Sequence, residues 1–114
     1  MKAYTDLSQS KKLAEILPLE SADMVYAYSY SVNEYTTYPY PLSSSKLFDV
    51  YKDDIPCWSA SALLESIRKS GRYELQMYEG GYYFEANGFM TESYFNVVDV
   101  CVEMIVKLKE KNLI

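Results

Sequence analysis

The chain has 114 residues, of which 49% are hydrophobic, and a formal net charge of −5. This length and composition predict one globular domain spanning residues 1–114 and exclude a disordered chain. No apolar run approaches the roughly 18 residues of a membrane span, and the acidic balance argues against nucleic acid or an anionic membrane as a partner.

The first predicted element is a short amphipathic helix. It begins at about Ser8 or Ser10 and carries its leucine and isoleucine side chains on one face. Pro18 ends it, because proline cannot continue the hydrogen-bonding pattern of a helix. Residues 1–6 precede this helix and are expected to be frayed.

The next element is a strand over Met24–Tyr30, in which tyrosines alternate with small residues. Alternation of period two places the tyrosines on one face of the strand and the small residues on the other. The small face could lie under a helix and leave the tyrosines outside, or the tyrosines could form the core; the sequence leaves both open. It leaves open the structure of residues 31–54 too, where Lys46–Tyr51 fits a helix or a strand.

The clearest helix start in the chain is Ser59, which follows the only tryptophan. The Ser59 hydroxyl can accept a hydrogen bond from an unpaired N–H of the first turn, and Trp58 can pack against Leu63 as a hydrophobic staple. The pattern predicts a helix over 59–70 with Trp58 in the core, where the indole N–H needs a partner. Gly71 is predicted to stop the helix in the left-handed conformation.

A β-hairpin is predicted over 72–87, where apolar and polar residues alternate on both sides of a glycine pair. With Gly80 and Gly81 as a two-residue loop, Tyr78 lies opposite Tyr83 and Met77 lies opposite Phe84. This register sorts the apolar pairs onto one face and the polar and tyrosine pairs onto the other.

The last element is a helix over 96–111, capped by Asn96. Phe95 and Val100 occupy the same staple positions as the tryptophan and leucine of the preceding helix. Its apolar residues cover much of the circumference, which predicts deep burial; the β-branched run Val97–Val102 leaves a strand as the rival interpretation. Together the elements predict an α+β domain, in which an antiparallel sheet holds the 24–30 strand and the 72–87 hairpin.

The second half of the chain resembles small uncharacterised proteins of gut bacteria and of their phages and mobile elements. The resemblance lies in Pro56–Glu65, in Asn96–Leu108 and in the glycine-containing hairpin between them, Tyr73–Asn87. The tyrosine-rich first half departs most from those proteins. The resemblance implies a mobile-element origin, and it carries no activity, cofactor or catalytic residue to this chain.

The tyrosines are the one feature that suggests a function, since the chain holds 13 of them. Tyrosine is enriched at interface hot spots, so an aromatic sheet surface would suit a protein partner or self-association. The leading hypothesis is therefore a non-catalytic interaction module. The alternative is a small-molecule or glycan binder that uses the same aromatic rings. The candidate binding residues are Tyr26, Tyr28, Tyr30, Tyr78 and Tyr83, supplemented by Tyr35, Tyr38 and Tyr40.

An enzyme is the third and weakest hypothesis. Histidine is absent, which removes the usual general base and the usual zinc ligand. A carboxylate-based mechanism would need at least two of four acidic side chains to converge: Asp49, Asp53, Asp54 and Glu85.

Two cysteines make no disulfide framework, so Cys57 and Cys101 are expected to be reduced core residues of a cytoplasmic protein. No cofactor is expected, because the four glycines do not form a phosphate-binding loop.

Overall fold

The computed structural model of the protein describes residues 2–42, 53–86 and 88–114. The predictions for Lys46–Tyr51 and for Asp49 therefore lie outside the described residues. Within them the chain is α+β, as predicted, and combines helices with small antiparallel sheets. The helices are α1 (Leu7–Ala14), α2 (Ala60–Ser70) and α3 (Val97–Glu110), with a short 3-10 turn at Leu19–Ser21. The strands are β1 (Met24–Tyr26), β2 (Tyr28–Ser29), β3 (Glu34–Tyr35), β4 (Tyr40–Pro41), β5 (Ile55–Cys57), β6 (Glu74–Tyr78), β7 (Gly81–Ala86) and β8 (Phe89–Met90).

Helix α3 forms the centre of the core, and the preference for a helix over a strand is confirmed. The Asn96 side chain accepts a hydrogen bond from the backbone N–H of Asp99 at 2.8 Å, so the predicted cap is present. Seven of its residues are buried, which is the deep burial that its apolar circumference predicts. The core around α3 is completed by Leu13, Leu17, Trp58, Leu63, Ile67 and Phe84.

Helix α2 begins as the sequence predicts. The Ser59 hydroxyl accepts from the N–H of Ala62 at 3.2 Å, and Trp58 is fully buried. The indole N–H donates to the hydroxyl of Ser21 at 2.9 Å, which supplies the partner that burial requires. The helix ends at Gly71, but there φ is 156° and ψ is −172°, so the predicted left-handed stop is wrong. A side chain at this position would meet the ring of Tyr73 at 3.0 Å.

The staple predicted before α3 is also wrong. Phe95 is 90% exposed, although Val100, its expected partner, is fully buried. The two helix starts share a sequence pattern, but the aromatic residue before the cap is buried at α2 and exposed at α3. The backbone of Trp58 is bonded to the chain before α1, since the N–H of Thr5 donates to the carbonyl oxygen of Trp58 at 2.9 Å.

Residues before α1 are packed, contrary to the predicted fraying. Thr5 is fully buried, and the N–H of Ala60 donates to the carbonyl oxygen of Ala3 at 3.1 Å. Helix α1 then begins at Leu7 and is capped by Asp6, one or more residues earlier than predicted. Asp6 and Gln9 each bond the backbone N–H of the other, which forms a capping box.

In the part of the chain that the structure describes, the strands form three separate sheets, and the single sheet predicted from the sequence is wrong. Their orders are β4-β1-β5, β2-β3 and β6-β7-β8. The strand predicted over 24–30 is divided at Ala27 between the first two sheets. The carboxylate of Asp54 accepts from the N–H of Tyr28 at 2.9 Å, so a side chain takes the backbone donor just beyond the last β1–β5 pair. The 72–87 hairpin, now β6 and β7, has its own sheet with β8.

The hairpin forms with a register that differs from the predicted one. The loop is Glu79-Gly80, both with positive φ (49° and 80°), and Tyr78 pairs with Gly81. Leu75 therefore lies opposite Phe84, and Gln76 lies opposite Tyr83. A shift of two residues preserves the faces, because side chains alternate with period two. Positive φ at both loop positions is the geometry that matches the twist of the two strands.

Candidate functional site

The structure places the five candidate tyrosines in three different environments. Tyr26 belongs to the core: it is 4% exposed, and its hydroxyl donates to the carbonyl oxygen of Thr5 at 2.8 Å. Burial is the main cause that raises the pKa of its hydroxyl. A partner cannot reach a ring in this position, so Tyr26 leaves the candidate binding set.

Tyr28 and Tyr30 come together with Tyr35 in one aromatic cluster. The ring centroids of Tyr28 and Tyr30 are 5.1 Å apart, and those of Tyr28 and Tyr35 are 4.9 Å apart. The interplanar angles of 78° and 69° are edge-to-face geometries, which aromatic rings prefer. We call residues 28–35, which comprise β2, the turn and β3, the tyrosine hairpin.

Three charged side chains from elsewhere in the chain fix the tyrosine hairpin. The carboxylates of Asp53 and Asp54 accept from the hydroxyl of Tyr30 and from the N–H of Tyr28. The hydrogen bond to Asp53 raises the pKa of Tyr30. On the other side, the ammonium group of Lys11 lies 5.5 Å from the ring centroid of Tyr35, a cation–π distance. The aromatic cluster is therefore ordered before any partner arrives.

The tyrosine hairpin is exposed at its turn. Tyr30 is 67% exposed and Val32 is 63% exposed, while Tyr28 and Tyr35 are half-buried beneath them. Asn33 takes the left-handed conformation that the reversal requires, with φ of 56°. Apolar and aromatic side chains thus stand at the tip of a hairpin, where a partner could cover them.

Tyr78 and Tyr83 lie on the β6–β7 hairpin and belong to a different sheet. Tyr78 is 68% exposed and Tyr83 is half-buried opposite Gln76, on the sheet face that does not carry Phe84. The aromatic sheet surface that the sequence suggested is therefore divided between two sheets. Tyr35 joins Tyr28 in the tyrosine hairpin, although the sequence offered it only as a supplement, because its pairing with Tyr28 depends on the turn between them.

The three candidate acidic residues that lie in the described part of the chain occupy two separate places. Asp53 and Asp54 hold the tyrosine hairpin, and Glu85 lines a separate depression with Arg72 and Glu74. Across residues 2–42, 53–86 and 88–114, no three cysteine or carboxylate side chains are grouped as metal ligands would be. Both thiols are free and buried, and burial raises the pKa of Cys101 to about 12.

Comparison with protein-family models, with curated proteins and with solved structures finds no match to this chain. In the described residues no helix has both the length and the apolar character that a membrane crossing requires.

Proposed function

We propose that the protein is a non-catalytic interaction module that binds a protein partner, or a second copy of itself, through the tyrosine hairpin. The observation that carries this proposal is the packed cluster of Tyr28, Tyr30 and Tyr35, in which Tyr30 is exposed at the turn of the hairpin. Tyrosine provides a large contact area together with a hydroxyl that hydrogen-bonds at a wet interface. The rings are already ordered, which lowers the entropy lost on association.

Binding of a glycan or small molecule by the same rings is the alternative function. Such a ligand needs a concave site, because burial of most of its surface provides the affinity. The cluster instead stands on a two-stranded hairpin, and a large groove of the molecule, between α2 and β6, is lined by Tyr73 and by none of the five candidate tyrosines. The geometry therefore favours a protein surface over a small ligand.

Two further features belong to the proposal. The net charge of −5 favours a protein partner over nucleic acid. A cytoplasmic location is in keeping with two free, buried thiols, Cys57 and Cys101. A mobile-element origin, which the resemblance of the second half implies, is likewise part of the proposal and identifies no partner.

The first experiment compares two double variants of the full chain. Tyr30→Ala with Val32→Ser removes the exposed tip of the tyrosine hairpin, and Met77→Ser with Tyr78→Ala removes a matched exposed pair from β6. Loss of a hot spot costs about 2 kcal/mol, or about 30-fold in affinity, so only the first variant should lose its partner. Sedimentation velocity over a concentration series measures self-association, and affinity capture with both variants identifies a partner.

The result that contradicts the proposal is a wild-type chain that stays monomeric and captures the same proteins as the Tyr30→Ala, Val32→Ser variant. A thermal-shift screen with glycans and metabolites tests the alternative. A ligand that stabilises the wild type and not the Tyr30→Ala variant would favour the small-ligand function.

A further inference from the structure

Beyond the proposed function, a second surface lies at the free edge of the β6-β7-β8 sheet. Among the described residues β6 pairs with β7 and with no other strand. An unpaired edge presents backbone N–H and C=O groups to which another strand can add. The direction of each group along β6 decides whether that addition is possible.

The register gives those directions. The N–H of Tyr82 donates to the carbonyl oxygen of Tyr94 at 2.7 Å, and Thr91 exchanges hydrogen bonds with Phe84, so Tyr82 and Phe84 turn their backbone groups away from β6. In an antiparallel pair, directly opposed residues both turn toward each other or both turn away. Met77 and Leu75 lie opposite these two residues, so their backbone groups point out of the sheet edge.

A groove runs beside this edge, between β6 and the second half of α2. Its volume is about 860 Å³. Its apolar lining comes from both elements and from the neighbouring strand: Leu64, Ile67, Tyr73, Leu75 and Phe84. A strand added at the edge of β6 would point alternate side chains into this lining and the others away from it.

The charge at one end of the groove indicates the chemistry of the occupant. Arg68, Lys69 and Arg72 line the groove where β6 begins, against the single carboxylate of Glu74. Arg68 is bonded to Glu65 at 2.5 and 2.8 Å, but within the described residues neither Lys69 nor Arg72 has an ion-pair partner. The side chains that line the groove therefore carry three positive charges against one negative charge, and Glu65 and Glu85 lie just outside it, beside Arg68 and Arg72.

We propose that β6 and this groove bind an extended acidic peptide segment of another protein by strand addition. The peptide hydrogen-bonds to the outward backbone groups of Leu75 and Met77 and inserts alternate apolar side chains against Leu64 and Leu75. Its carboxylates lie at the end of the groove that carries Lys69 and Arg72. Main-chain bonds supply the affinity in this mode of recognition, and the side-chain pockets and charges supply the specificity.

The test uses a fluorescein-labelled peptide with the sequence Glu-Glu-Val-Thr-Val-Thr-Val and fluorescence anisotropy with the full chain. Met77→Pro removes the outward N–H and leaves the β7 ladder intact, and Met77→Ala is the matched control that keeps this N–H. The Met77 side chain is 70% exposed, so neither substitution creates a cavity in the core. We expect Met77→Pro to weaken binding by about 10-fold or more, and Met77→Ala to change it by less than about 3-fold.

Charge is tested separately with Arg72→Glu and with a peptide in which lysine replaces both glutamates. Each should weaken binding by about 10-fold, and the loss should shrink as salt is raised. Binding that is unchanged by Met77→Pro, or equal for acidic and basic peptides, overturns the inference. A wild-type dimer that Met77→Pro dissociates also overturns it, because a second copy would then occupy the edge. Tyr30→Ala should leave peptide binding unchanged, which separates this test from that of the tyrosine hairpin.

Discussion

At the scale of single residues, the surroundings of a tyrosine hydroxyl decide what the side chain does. The hydroxyl of Tyr26 donates to the carbonyl oxygen of Thr5 inside the core, and this bond ties β1 to the segment before α1. The hydroxyl of Tyr30 donates to Asp53 at the surface, where water can replace either partner. A hydrogen bond whose loss leaves a buried acceptor unpaired costs more than one that water can replace.

This contrast predicts different effects for two identical substitutions. Tyr26→Phe should lower the free energy of unfolding by about 1–2 kcal/mol, because the buried carbonyl oxygen of Thr5 then keeps only the thiol of Cys57 at 3.4 Å, and a thiol is a weak donor. Tyr30→Phe should change it by less than about 0.5 kcal/mol. Urea denaturation followed by circular dichroism measures both values. Equal effects would show that the Tyr26 hydroxyl is not the bond that holds these two segments together.

At the scale of elements, the β6–β7 hairpin shows how a turn selects its register. A two-residue loop of this kind needs positive φ at both positions, which glycine adopts without steric cost. The sequence offers Gly80-Gly81 as the obvious loop, yet the chain uses Glu79-Gly80 and places Gly81 in the strand. The resulting register sets Leu75 opposite Phe84, which is 2% exposed and belongs to the core.

Two glycine substitutions distinguish the observed register from the predicted one. Gly80→Ala should cost about 1–2 kcal/mol, since φ at Gly80 is 80° and a side chain there is strained. Gly81→Ala should cost less than about 1 kcal/mol, because Gly81 has no positive φ and its added methyl group would meet Ser93 at an ordinary 3.5 Å. Thermal unfolding of the two variants measures the difference. Equal losses would favour Gly80-Gly81 as the loop.

Local sequence signals were sufficient for the helices and insufficient for their surroundings. The caps at Ser59 and Asn96 depend on side chains within three residues, so both helix starts could be predicted. Whether the aromatic residue before each cap is buried depends on distant segments. Trp58 is buried and bonded to Thr5 and Ser21, whereas Phe95 is exposed, and no pattern near either residue records that difference.

The candidate site was also predictable only in part. The tyrosine content indicated an aromatic surface, but its membership depends on strand pairing. The Tyr28–Tyr35 pair forms across a turn in the segment that the sequence left open, and Tyr26 enters the core because β1 and β2 join different sheets at Ala27. Strands of two or three residues carry too short an alternation for such a division to be recognised.

At the scale of the whole molecule, Asp99 connects the segment around α1 to the start of α3. Its carboxylate accepts from the ammonium group of Lys2, from the side-chain amide of Gln9 and from that of Asn96, each at 2.8 Å. Burial alone would raise the pKa of Asp99, but the hydrogen bonds from Lys2, Asn96 and Gln9 outweigh it and hold this pKa below its ordinary value of 3.8. The charge of Asp99 therefore stabilises the contact between the segment around α1 and the start of α3.

The sign of the pKa shift gives the pH dependence of that contact. Because the pKa of Asp99 is lower in the folded chain, its contribution is fully present well above pH 3.8 and is lost as the pH falls through the folded value. Asp99→Asn should lower the free energy of unfolding at pH 7 by about 1 kcal/mol, and this difference from the wild type should shrink below about pH 4. Lys2→Met serves as the partner control, and the double variant should lose less than the sum of the two single losses. Urea titrations at a series of pH values measure the difference, and a wild-type-to-variant gap that stays constant down to pH 2.5 would show that the stabilisation by Asp99 does not depend on its negative charge.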